Sequence, residues 1–162
     1  MVSTIPHQKA ITSIQLMKNK LVLVAGKPYA HLAGQSIETI IKDTALIFRE
    51  KGSATRLAME KFISPYKSTH TKGMELTSNE AVKQAVIAGL GISIMPLIGI
   101  KNSLNMFELQ ILPQPNLPIE TDWNMIWLKS KNHANTAKAF IAHLQAQKHS
   151  IIEEHFSWLD DY

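Results

Sequence analysis

Apolar residues along the chain come in short bunches, and their spacing switches between strand-like runs and helical stripes. Leu21-Val22-Leu23-Val24-Ala25 is a short apolar run with β-branched Val22 and Val24, closed by Gly26 and Pro28, the pattern of a buried strand. Ser36 then precedes Ile37, Ile40 and Ile41, which share one face of a short helix over residues 37–42. Ala45-Leu46-Ile47-Phe48 reads as a second buried strand, Glu50-Lys51-Gly52-Ser53 as a turn, and residues 54–63 as a helix carrying Leu57, Ala58 and Phe62, halted by Pro65.

The unit then recurs. Residues 74–76 form a strand and Thr77-Ser78-Asn79 a cap, with Thr77 and Glu80 at capping-box spacing. Residues 80–90 form a helix with Ala81, Val82, Ala85, Val86 and Leu90 inward, ended by Gly89 and Gly91. Ile92-Ser93-Ile94-Met95 is a strand closed by Pro96, and a short helix starts at Leu97. Alternation of strand and helix predicts an α/β fold with mostly parallel strands. Beyond it lie a strand over 107–112, a stiff connection through Pro113, Pro115 and Pro118, and a strand over 123–128 in which Trp123, Met125 and Trp127 alternate with Asn124 and Ile126. An amphipathic helix follows over 134–148, with Ala137, Phe140, Ile141 and Leu144 as its stripe, and residues 151–162 allow one more short helix.

Composition narrows the chemistry. The chain has 162 residues, 45% of them hydrophobic, and no cysteine, which removes disulfide scaffolds, cysteine zinc sites and thiol catalysis. The net charge of +4 is divided: residues 1–150 hold all 17 basic side chains, while residues 151–162 contribute Glu153, Glu154, Asp160 and Asp161 and nothing basic. Fifteen of the basic residues are lysines, and the two arginines, Arg49 and Arg56, lie seven positions apart. A phosphate-reading surface would be richer in arginine. No export signal is expected, because Pro6 and His7 interrupt the N-terminus, and no stretch reaches the roughly 20 apolar residues of a bilayer span. The seven histidines lack metal-motif spacing, so no metal and no cofactor is expected.

Phe48-Arg49-Glu50-Lys51-Gly52-Ser53-Ala54-Thr55-Arg56 is the segment with most chemistry: a strand enters a glycine turn and a helix start. Free N–H groups, the Ser53 and Thr55 hydroxyls and nearby guanidinium groups suit an anion such as a carboxylate. Ordinary capping by Ser53, and by Thr77 or Ser78 at the next helix start, accounts for the same residues. Two such turns on one sheet edge would line one cleft. No base lies at a nucleophile-like spacing from Ser53, so an enzyme is not expected.

Three motifs in order, Arg49-Glu50-Lys51-Gly52-Ser53-Ala54-Thr55-Arg56, then Met74 through Val86, then Ala88-Gly89-Leu90-Gly91-Ile92-Ser93 with Pro96, resemble the effector-binding (substrate-binding) domain of LysR-type bacterial transcription regulators. They most resemble the branch that regulates carbon-fixation operons, with Lys51 where the family commonly has proline and Ala54 where it has glycine. The likeness continues through Leu117-Pro118-Ile119, Trp123 and the helix near residues 137–144. It implies a periplasmic-binding-protein-like (type 2) fold of two α/β lobes, one complete and one partial, with a small anionic metabolite in the cleft between them. On this pattern residues 1–7 are a crossover and remnant of lobe one, 8–117 are lobe two, 118–148 return to lobe one, and 149–162 are an acidic tail. Residue by residue, Gly52, Ser53, Thr55 and Arg56, then Thr77 and Ser78, with Thr4 and Thr121 at the crossings, become the expected effector contacts. The resemblance further implies a cytoplasmic regulator, homo-oligomeric through this domain, reaching DNA only through a helix-turn-helix that this sequence does not contain, so the chain reads as a truncated regulator. A stand-alone ligand-binding or dimerisation module is the alternative.

Overall fold

The computed structural model describes Val2, residues 10–66 and residues 73–162, and divides the chain into two compact units, Lys20–Glu120 and Met1–Asn19 with Thr121–Tyr162. Strands run unbroken through both divisions, Asn19–Lys20 and Glu120–Thr121, so no turn-forming residue marks either point.

In the Lys20–Glu120 unit, the run at Leu21 is the inner end of β1 (Ile11–Gly26), a strand much longer than its buried stretch. Residues 11–20 are mostly half-exposed, so their pattern lacks the continuous apolar signal that marks residues 21–25. α1 (Ile37–Asp43) starts at Ser36, whose hydroxyl accepts the Thr39 N–H, and buries Ile37, Ile40 and Ile41. β2 (Leu46–Arg49), α2 (Ala54–Ile63), β3 (Gly73–Leu76), α3 (Asn79–Ile87), β4 (Ser93–Pro96), α4 (Lys101–Asn105) and β5 (Leu109–Ile111) follow.

β1 lies between β4 and β5, antiparallel to both, with Leu23 opposite Ile94 and Ala25 opposite Gln110. β2 and β3 are parallel, with Arg49 opposite Leu76. The two sets join at Ile92, whose N–H donates to Ala45 C=O at 2.9 Å and whose C=O accepts from Ile47 N–H at 2.8 Å. The strand order is therefore β3-β2-β4-β1-β5. Leu21, Leu23, Ile40, Leu46, Met59, Ile63, Ile92 and Ile94 form its core, and each large side chain so buried stabilises by about 1.5–3 kcal/mol.

Several local expectations are corrected. Leu90 is 52% exposed rather than inward: Gly89, at φ 76°, takes the left-handed position that ends α3, and Leu90 N–H closes on Ala85 C=O at 3.0 Å outside the helical face. Phe107 lies outside β5, at positive φ and 79% exposed, because the turn after α4 consumes it. α2 ends at Ile63, as expected ahead of Pro65, and Ser64–Tyr66 follows it as a separate 3-10 turn.

The other unit contains the outer part of β1, most of β6 (Ile119–Leu128) and α5 (Asn135–Phe156). β6 pairs with β1, and Lys148 Nζ ties α5 to the Gln15 carbonyl at 3.1 Å. On β6 it is Asn124 that is buried, its backbone paired with Val2, while Trp123, Met125 and Trp127 are half-buried. α5 runs eight residues past the predicted end at 148, because neither Gly nor Pro follows Lys148 to stop it, and only Ser157–Asp161 forms a separate 3-10 turn. No helix among the described residues is long and apolar enough to cross a membrane.

Candidate functional site

Parallel pairing of β2 and β3 puts the two chemistry-bearing turns on the same edge of the sheet. With Arg49 opposite Leu76, the Glu50–Ser53 turn into α2 and the Thr77–Ser78 turn into α3 leave from neighbouring strand ends. Their alignment is cemented by side chains. Arg49 Nη1 donates to Asn79 Oδ1, linking the end of β2 to the first residue of α3.

The turn before α2 is tight. Gly52 has φ 92°, a conformation that side-chain-bearing residues rarely adopt, and Ser53 N–H donates to Glu50 C=O at 3.2 Å. Ser53 is then the N-cap by position, with Leu57 N–H reaching its carbonyl at 3.0 Å, yet its hydroxyl makes no cap hydrogen bond. Thr55, one residue into the helix, likewise makes no side-chain hydrogen bond among the described residues. The N–H groups that precede the first helical bond thus keep their positive end of the dipole free of a side-chain acceptor.

The next turn is different. Ser78 accepts the Ala81 N–H at 3.0 Å and is the true cap. The expected Thr77–Glu80 capping box is not formed: the cap lies one residue later, Thr77 is exposed, and Glu80 turns to Lys83 at 2.8 Å and Gln84 at 2.9 Å. Those contacts, Lys83 first and Gln84 second, hold the Glu80 carboxyl below its ordinary value.

Arg56 is fastened rather than open. Nε donates to Glu60 at 2.8 Å, Nη1 donates to the Arg49 carbonyl at 2.9 Å and to a Glu75 carboxylate oxygen, and the guanidinium carbon lies 5.4 Å from the centre of the Phe48 ring. Hydrogen bonds to Glu60 and then Glu75 push its pKa up. Its partners come from β2, α2 and β3, so it fixes the helix start against both strands. The i,i+4 spacing of Arg56 and Glu60 was the available signal for that role. Beneath α2, Ser93 donates to the Ile47 carbonyl at 2.6 Å and lies 3.9 Å from Met59 Sδ.

The remaining expected contacts are placed as follows. Thr121 lies on β6 beside buried Asn19, whose Nδ2 donates to Thr121 Oγ1 at 3.1 Å. Thr4 lies outside the described residues, as do His7 and His70. Among the described residues no group of three His, Asp or Glu side chains is arranged to hold a metal ion. Uncommitted hydroxyls and N–H groups at one turn, with fixed cations behind them, suit reversible hydrogen bonding of an anionic group.

Known proteins align with this architecture. The family described as LysR substrate binding domain matches residues 1–148. The transcriptional activator CmpR of Synechocystis is 33% identical over 148 residues, 90% of this chain and 48% of that protein. A RuBisCO operon transcriptional regulator of Allochromatium vinosum is 36% identical over 138 residues, 83% of this chain and 45% of that protein. The chain spans about half the length of these curated relatives. Among solved structures, the Synechocystis CcmR regulatory domain in complex with 2-PG superposes with a TM-score of 0.74 at 32% identity, covering 91% of this chain and 71% of that one.

Proposed function

This chain belongs to the LysR substrate binding domain family, with its periplasmic-binding-protein-like (type 2) α/β fold, and on that premise we propose that it is the effector-sensing part of a LysR-type transcription regulator whose small anionic effector binds where the β2–α2 and β3–α3 turns meet. The effector's charged oxygens are received by the Ser53 and Thr55 hydroxyls and the first N–H groups of α2. Gly52 shapes the turn, Arg56 holds it in place, and Thr77 borders it. Carrying this reading is the free Ser53 hydroxyl at a helix start where capping is the ordinary role for serine. The 2-PG carried by the CcmR regulatory domain supports a small-molecule effector and gives the first compound to try.

The parent regulator, on this proposal, acts in the cytoplasm, assembles through this domain, and changes transcription when its effector binds. A thermal-shift titration with 2-PG tests the binding step. Saturating ligand at about 100 times its dissociation constant stabilises the wild-type chain by about 2.7 kcal/mol. The Ser53→Ala/Thr55→Val double variant is expected to lose most of that shift while unfolding at nearly the same temperature without ligand. An undiminished shift in the double variant contradicts the placement.

A further inference from the structure

Both arginines of the turn are paired with carboxylates, but in different ways. Arg56 is held by groups on three elements. Arg49 is instead gripped by its own neighbour. Its Nε and Nη2 donate to the two oxygens of Glu50 at 2.7 and 2.9 Å, while Nη1 goes to Asn79. Glu50 therefore offers Arg49 the planar two-oxygen acceptor that a ligand carboxylate or phosphate would offer.

The Glu50 side chain is 35% exposed, and among the described residues its carboxylate has no other side-chain partner. Hydrogen bonding to Arg49 holds its carboxyl below the ordinary value, so it is ionised at neutral pH. The pair is only part-buried, with the Arg49 side chain 17% and the Glu50 side chain 35% exposed, and a pair between sequence neighbours that water still reaches is open to exchange. The guanidinium it covers spans the edge between the two turns, because its third nitrogen already reaches α3.

We propose that Glu50 is a built-in competitor for the effector anion: its carboxylate occupies the two-pronged face of Arg49 until the effector's carboxylate or phosphate replaces it there. This rests on the effector lying at this edge, as proposed above, and adds that Arg49 becomes a direct ligand only after Glu50 swings away. Glu50 thereby sets a threshold. Only an anion able to present two oxygens to the guanidinium, while also reaching the Ser53 turn, displaces it efficiently.

The probe is inorganic phosphate, titrated into the chain and followed by thermal shift. Glu50→Gln is expected to bind phosphate about two- to fivefold more tightly than wild type, the range set by the small worth of an ion pair that water still reaches. Glu80→Gln, which removes a carboxylate from the same edge but one paired with Lys83, should change affinity by less. In an Arg49→Gln background the gain from Glu50→Gln should vanish, as a coupled pair requires. The proposal is overturned if Glu50→Gln gains no more than Glu80→Gln, or if its gain persists without Arg49. Should Arg49→Gln fail to fold, the Glu50→Gln against Glu80→Gln contrast decides alone. If the Ser53→Ala/Thr55→Val double variant binds phosphate as wild type does, the site reading falls and this inference falls with it. If the double variant weakens binding while Glu50→Gln does not strengthen it, only the competitor role is lost.

Discussion

α2 and α3 leave the same edge of the sheet from parallel neighbouring strands, and each begins after a serine with extended backbone. At α3, Ser78 sits at φ −143° and its hydroxyl accepts the Ala81 N–H, leaving the helix start chemically satisfied. At α2, the Glu50–Ser53 hydrogen bond closes a turn through Gly52 and holds Ser53 at φ −65°, and the hydroxyl stays uncommitted. The same residue type thus completes a helix in one place and is kept available in the other. What separates the two is the turn in front of the serine. A helix start that forgoes its cap needs other restraints, and α2 has them in Arg56 above and Met59 below.

The largest break in this comparison comes from removing the restraint below. Met59 is 1% exposed, and Met59→Ala is expected to lower unfolding stability by about 2–5 kcal/mol, read by urea denaturation. A loss under about 1 kcal/mol would show that packing does not substitute for the missing cap. Next in size, Ser78→Ala should cost about 1 kcal/mol as a lost cap, whereas Ser53→Ala should leave stability nearly unchanged. Equal costs at the two serines would erase the distinction between the turns.

The smallest effect is on acid stability. Glu50 and Glu80 are both held below the ordinary carboxyl value of 4.5 in the folded chain, Glu50 chiefly by Arg49 and Glu80 chiefly by Lys83. Stability from such groups is present above about pH 4.5 and is lost as pH falls below it toward the folded values. Each Glu→Gln variant should therefore show a shallower loss of stability below pH 4.5 than wild type. Unchanged slopes would mean that the pairs contribute nothing to folding.

Continuous apolar runs and capped helix starts made the Lys20–Glu120 unit legible from sequence. Leu21 to Ala25 and Ile37 to Ile41 are written in residues whose burial follows their spacing, whereas in the 54–63 helix Leu57 is 60% exposed and Met59 and Ile63 are the buried residues. What was illegible depends on longer-range partners. The outer part of β1 is half-exposed, so only its pairing with β6 shows that it is strand. Ser78 rather than Thr77 caps α3, a choice of one residue that backbone geometry makes and spacing does not. The candidate site was legible in its residue types, Gly52, Ser53 and Thr55, because a glycine turn into a helix start is a local feature. That Arg56 is a fastening residue was hidden, since two of its partners, the Arg49 carbonyl and Glu75, come from strands brought beside α2 only by the fold.

The central claim is that the effector sits on the uncapped start of α2. Titrating 2-PG into the 15N-labelled chain and following backbone amide resonances tests it most directly. Saturable shifts are expected at Ala54, Thr55 and Arg56, with much smaller ones at Asn79, Glu80 and Ala81 behind the Ser78 cap. Shifts confined to the α3 amides, or saturable binding that leaves the α2 amides unmoved, would contradict it.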